Sequence, residues 1–97
     1  SIDENGVWTY HDWEGNSVSY PNGYPDFKSA GMVRQEVPIG PFVERNKDFA
    51  KAREMGYIKS ADGTWHHHED GVTLQEVETI LHDRFRHRGG ISNLKKK

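Results

Sequence analysis

Cysteine is absent from these 97 residues, which excludes a disulfide framework, a thiolate zinc site and a cysteine nucleophile. Apolar residues are scarce too, at 33% of the chain with a mean hydropathy of −0.94. No run approaches the roughly 18 consecutive apolar residues that a membrane-spanning helix needs, so no membrane partner is expected. The opening Ser1-Ile2-Asp3-Glu4 lacks the basic and apolar regions of a signal peptide. A chain of this length is read as a single domain over residues 1–97, whose small core hides roughly two thirds of the surface. With six histidines present, the expected extra stabiliser is a metal ion held by imidazoles.

A basic excess is also missing, since the formal net charge is −2. The average conceals an asymmetry. Residues 1–46 hold seven acids against three bases, whereas residues 84–97 hold Arg84, Arg86, Arg88, Lys95, Lys96 and Lys97 and no acid. Taken alone, that run reads as a solvated tail. Beside a cluster of histidines the same cations become candidate contacts to a phosphate backbone.

Residues 1–41 are rich in Gly, Pro, Asn and aromatics. Val7-Trp8-Thr9-Tyr10 and Val18-Ser19-Tyr20 read as short strands between turns, and Pro21-Asn22-Gly23-Tyr24-Pro25 forbids a helix across it. Phe42, Phe49, Ala52 and Met55 then recur at helical spacings, which predicts an amphipathic helix over 42–56 with Pro41 in its first turn and Gly56 as its cap. Thr64-Trp65-His66-His67-His68 reads as a strand, Glu69-Asp70-Gly71 as a turn, and Val72 and Leu74 as the returning strand of a hairpin over 64–76. Val77, Leu81 and Phe85 lie four apart, a helical stripe closed by Gly89-Gly90. The fold class expected is α+β: a turn-rich, short-strand part, one helix, a strand-strand-helix core over 57–90 and a basic tail over 91–97.

Five of the six histidines fall between positions 66 and 87, and packing does not explain that concentration. Imidazoles converging from a strand and from the helix beyond it are what a nitrogen-ligand metal site requires, and three such ligands leave positions open for water or phosphate. Strand alternation sends His66 and His68 to one side and His67 to the other. One side can then supply a metal ligand while the other offers an unligated imidazole as general base. His87 follows His82 by five residues, about 140° around an ideal helix, so the helix must end or loosen before His87 if both bind one ion.

Taken together, Thr64-Trp65-His66-His67-His68-Glu69-Asp70-Gly71, Leu74, Val77 and His82-x4-His87-x-Gly89-Gly90 resemble the WHH branch of the HNH/endonuclease VII superfamily. Members occur mainly as C-terminal domains of bacterial polymorphic toxins and share the ββα-metal fold (the His-Me finger) with colicin-type DNases. The resemblance implies that His66, His82 and His87 bind one divalent ion (zinc, nickel, manganese or magnesium) and that His67 is the general base. It also implies DNA as substrate, a cognate immunity protein as partner, and delivery within a larger toxin to act in the target-cell cytoplasm. Members commonly read Leu-Val-Pro where this chain has Glu76-Val77-Glu78. The asparagine that orients the base in HNH enzymes has no match, leaving Thr73, Gln75 or a backbone carbonyl as candidates.

Other residues have simpler explanations. His68 reads as a surface residue, His11 as unrelated to the cluster, and Trp65 as core. Trp8, Tyr10, Trp13, Tyr20, Tyr24 and Phe27 are expected to pack a loop-rich core, and Glu69 and Asp70 to serve the turn. Two other functions fit the same residues: an RNase on the same site, and a metal-stabilised binding module without turnover.

Overall fold

Seven short elements make up the computed structural model, which describes residues 2–86: β1 (Trp8–His11), β2 (Ser17–Tyr20), β3 (Val33–Pro38), α1 (Arg45–Glu54), β4 (Gly63–His67), β5 (Thr73–Glu78) and α2 (Thr79–Phe85). The mixture is α+β, in keeping with the expected class. The described residues divide into two compact units, one drawn from Val33–Thr79 and the other from residues 2–32 with residues 80–86. Among the described residues, no helix is long and apolar enough to cross a membrane.

In the Val33–Thr79 unit an antiparallel sheet runs in the order β3-β5-β4. Its central strand, β5, is buried on both faces from Leu74 to Val77, and that hides the alternation by which a strand is recognised. Val77 therefore belongs to β5, where it pairs with Thr64 and Val33, and the expected stripe from Val77 through Phe85 is divided between a strand and α2. β3, which the sequence reading left unassigned, completes the sheet. Val37, Ile39, Ala52, Trp65 and Leu74 form the core between sheet and helix, with Phe42 and Phe49 packed against it. Burying each large side chain there contributes about 1.5–3 kcal/mol.

The helix is shorter than the 42–56 expected. Phe42 is held outside it because its N–H donates to the Gly71 carbonyl at 3.0 Å, and Glu44 at the N-cap is extended. Gly56 does close the helix, with φ at +93° and its N–H on the Arg53 carbonyl. Met55 remains exposed, whereas Asp48 and Ala52, four residues apart, form the buried side of α1. A carboxylate thus stands where an apolar side chain would be expected.

In the other unit β1 and β2 form a hairpin, with Trp8 opposite Tyr20 and His11 opposite Ser17. Asp12 shapes its loop by accepting the N–H groups of Glu14 and Asn16 and the Asn16 side-chain amide at 2.8–3.0 Å. Val18, Tyr20, Phe27 and Phe85 are buried. Phe85 presents its ring edge-on to Tyr10, and its carbonyl accepts the Tyr20 hydroxyl. Trp8, Trp13 and Tyr24 are 49%, 78% and 43% exposed, so half of the aromatic set expected inside lies at the surface.

Candidate active site

Pairing with β5 fixes the backbone of β4: His66 stands opposite Gln75 and His67 opposite Leu74. Alternation then places Trp65 and His67 on the face that meets α1 and His66 on the other, the separation of the two histidines expected from the sequence. On the α1 face, His67 Nε2 lies 3.0 Å from Asp48 Oδ2. The Phe42 ring meets the imidazole edge-on at 4.5 Å between centroids, and the Phe49 ring lies at 5.4 Å. The His67 side chain keeps 30% of its surface exposed, while that of Asp48 keeps 3%.

Burial by itself would push the Asp48 carboxyl up. The Val43 N–H on Oδ1 at 3.0 Å, together with His67 and Lys51, outweighs burial and holds the carboxyl below the ordinary aspartate range. Asp48 is therefore an ionised, acceptor-only group with a hydrogen-bond partner on each oxygen. The helical spacing of Phe42, Phe49, Ala52 and Met55 leaves Asp48 unmarked. A signal was there to find: Asp48 sits next to Phe49 and four residues before Ala52, on the buried stripe, where a carboxylate needs partners.

The orienting candidates from sequence are engaged elsewhere. Thr73 Oγ1 donates to Asp70 Oδ2 at 2.7 Å within the turn, and Gln75 Nε2 donates to Glu36 Oε2 at 2.8 Å. Asp70 also accepts the N–H groups of Val72 and Thr73, so its place in the turn is fully accounted for. His68 lies just past β4, and its Nδ1 accepts the Asp70 N–H at 3.1 Å. A groove of about 290 Å³ opens beside Phe49 and Trp65, with Arg53, Tyr57, Ile58 and Lys59 along it; nothing in the sequence reading marked it.

Of the expected metal ligands, His66 is half-buried on β4 and His82 is buried in α2, where its ring lies 5.7 Å from that of Phe27. The two belong to different units. α2 ends at Phe85, ahead of His87; His87 itself, with Arg88, Lys95, Lys96 and Lys97, lies outside the described residues. Among the described residues no three potential ligands come together, and the expected set counts His87. Its donors are all imidazole nitrogens, chemically suited to a divalent ion.

Arg84, expected among the phosphate contacts, is engaged within the protein. Its Nη1 lies 2.7 Å from Asp12 Oδ2 and 2.8 Å from Glu14 Oε1, its guanidinium sits 4.3 Å over the Trp13 ring, and its side chain is 12% exposed. Two carboxylates already pair with it. Arg86 is 42% exposed, with Asp83 at 3.8 Å.

A strand carrying adjacent histidines, one half-exposed and fixed by a buried carboxylate, belongs to the vocabulary of hydrolytic sites. Residues 58–97 match the family WHH, a nuclease of the HNH/ENDO VII superfamily with conserved WHH, and this match supports reading the segment as a WHH nuclease. Trp65-His66-His67 supplies the three named residues. The match supports a hydrolase acting on nucleic acid, and divalent metal ions are typical of the superfamily. The match covers less than half of the chain and leaves α1, with Asp48, outside it. Searches of curated proteins and of solved structures found no match.

Proposed function

We propose that the chain is a metal-dependent endonuclease that hydrolyses DNA phosphodiester bonds with little sequence preference, as the toxin domain of a larger polypeptide. The observation that carries the reading is His67: within the WHH segment it is a half-exposed imidazole held by a buried carboxylate. It takes a proton from water as the water oxygen attacks phosphorus in line. The new P–O bond forms as the bond to the 3′ oxygen breaks, and the released alkoxide takes a proton from solvent. His66, His82 and His87 would hold the divalent ion, as the family resemblance implies. When bound, the ion supplies positive charge against the phosphate and the leaving oxygen. Arg86, Arg88, Lys95, Lys96 and Lys97 contact the backbone. Delivery into a target-cell cytoplasm and a cognate immunity protein in the producer follow from the toxin reading.

The test is an assay of supercoiled plasmid and total RNA with zinc, nickel, manganese, magnesium or chelator. Metal-dependent plasmid nicking is the expected result, and His82→Ala is expected to lose both metal binding and nicking. Cleavage of RNA alone would make the chain an RNase, and metal binding without cleavage of either would make it a binding module.

A further inference from the structure

We propose that Asp48 is a positioning residue for the reaction: its carboxylate holds His67 in the tautomer that carries the proton on Nε2 and leaves the Nδ1 lone pair to accept a proton from water. The inference rests on His67 being the general base. It assigns a role to a residue of α1, outside the family segment.

The argument is geometric. An ionised carboxylate can only accept hydrogen bonds, so the 3.0 Å contact between Asp48 Oδ2 and His67 Nε2 requires the proton to be on Nε2 in a neutral ring. Oδ1 is tied to the Val43 N–H at 3.0 Å, so turning the carboxylate away would break that bond and leave an oxygen of a buried carboxylate unpaired. Phe42 and Phe49 bracket the imidazole, and β5 fixes the strand beneath it. Nδ1 has no hydrogen-bond partner among the described residues, and the ring is 30% exposed. The side chain is thus fixed on one nitrogen and available at the other, the division of labour a histidine base needs.

A carboxylate that merely pins α1 to β4 would behave differently on substitution, and two variants separate the roles. In Asp48→Asn the amide oxygen must still face the Val43 N–H, so the NH2 group faces Nε2 and can only donate to it. The ring proton is then driven to Nδ1, which loses its lone pair. Asp48→Ala leaves the ring able to adopt either tautomer. Plasmid nicking by the full chain, with whichever divalent ion supports the wild type, should show kcat reduced about 10²–10⁴-fold in Asp48→Asn and about tenfold in Asp48→Ala. KM should stay within about threefold in both, because the substrate contacts are elsewhere. Thermal stability should fall in the opposite order, with alanine lower than asparagine. Nitrogen-15 NMR of the histidine rings at one fixed pH, with His67 assigned by its loss in His67→Ala, should read Nε2–H in the wild type and Nδ1–H in Asp48→Asn.

A kcat that follows stability, with alanine worse than asparagine, would overturn the proposal, as would an Nδ1–H ring in the wild type or wild-type turnover by Asp48→Asn. The general-base reading fails by a separate result: nicking by His67→Ala at the wild-type rate.

Discussion

Asp12 and Asp48 are both buried carboxylates, each in one of the two units and each set against a cationic or potentially cationic partner, yet they are built for different ends. Asp12 receives the N–H groups of Glu14 and Asn16, the Asn16 amide and the Arg84 guanidinium. Its partner stays charged at any ordinary pH and is itself covered by Glu14 and Trp13. The four hydrogen bonds that the Asp12 carboxylate accepts all serve to close the hairpin loop. Asp48 divides its oxygens between a backbone N–H and His67, and its partner retains an available nitrogen on a half-exposed ring. Burial and pairing alone do not mark a functional carboxylate; what matters is whether its partner has a lone pair left over.

The largest stability effect is expected beside the Asp12 knot. Phe85 is fully buried, and its ring meets Tyr10, so Phe85→Ala should cost about 3–5 kcal/mol in denaturant unfolding. Next, Arg84→Ala leaves the Asp12 carboxylate buried without its main cation and should lower the unfolding temperature, while turnover per folded molecule stays unchanged. The slope of log affinity for DNA against log salt should also stay put, where loss of a true phosphate contact would flatten it by about 0.9. A drop in turnover or a flatter slope would break the comparison by giving Arg84 a part in the site.

How far the sequence disclosed this arrangement depends on the kind of information each part needs. The WHH strand, the turn after it and the opposite facing of His66 and His67 follow from alternation and spacing, which are local. β3 and the length of β5 were not legible, because a strand buried on both faces carries no period and an edge strand such as Val33–Pro38 is confirmed only by its pairing. The pairings of Asp48 with His67 and of Arg84 with Asp12 join residues 19 and 72 positions apart, and only the folded chain brings them together. The surroundings of Arg84 were hidden for the same reason: its local run is basic, while the acids that pair with it lie in the first hairpin.

A smaller stability effect is expected at the start of β4. A Cβ at Gly63 would stand 2.9 Å from the Glu76 carboxylate carbon, and Glu76 is held by Gln35, Ser60 and Arg34. Gly63→Ala should therefore cost roughly 1–3 kcal/mol by overpacking. Rescue by Gly63→Ala/Glu76→Gly in a double-mutant cycle would locate the strain at that contact.

The smallest effect is in acid. Burial would raise the Asp12 carboxyl, but the Asn16 side chain, Arg84 and the loop N–H groups lower it from 3.8 to about 2. A carboxyl depressed in the folded state contributes stability that is present above its unfolded value and lost as pH falls through the folded one. Unfolding temperature should accordingly decline between pH 3.8 and 2 more steeply for the wild type than for Asp12→Asn. Parallel profiles would remove Asp12 from the account of the loop.

The central claim is that His67 moves the proton without holding the ion. The most direct test measures plasmid nicking and metal binding side by side, by gel and by calorimetry, for the wild type and His67→Ala. The account predicts nicking reduced about 10²–10⁴-fold with metal affinity retained. Wild-type nicking by His67→Ala, or loss of metal binding together with loss of nicking, would contradict it.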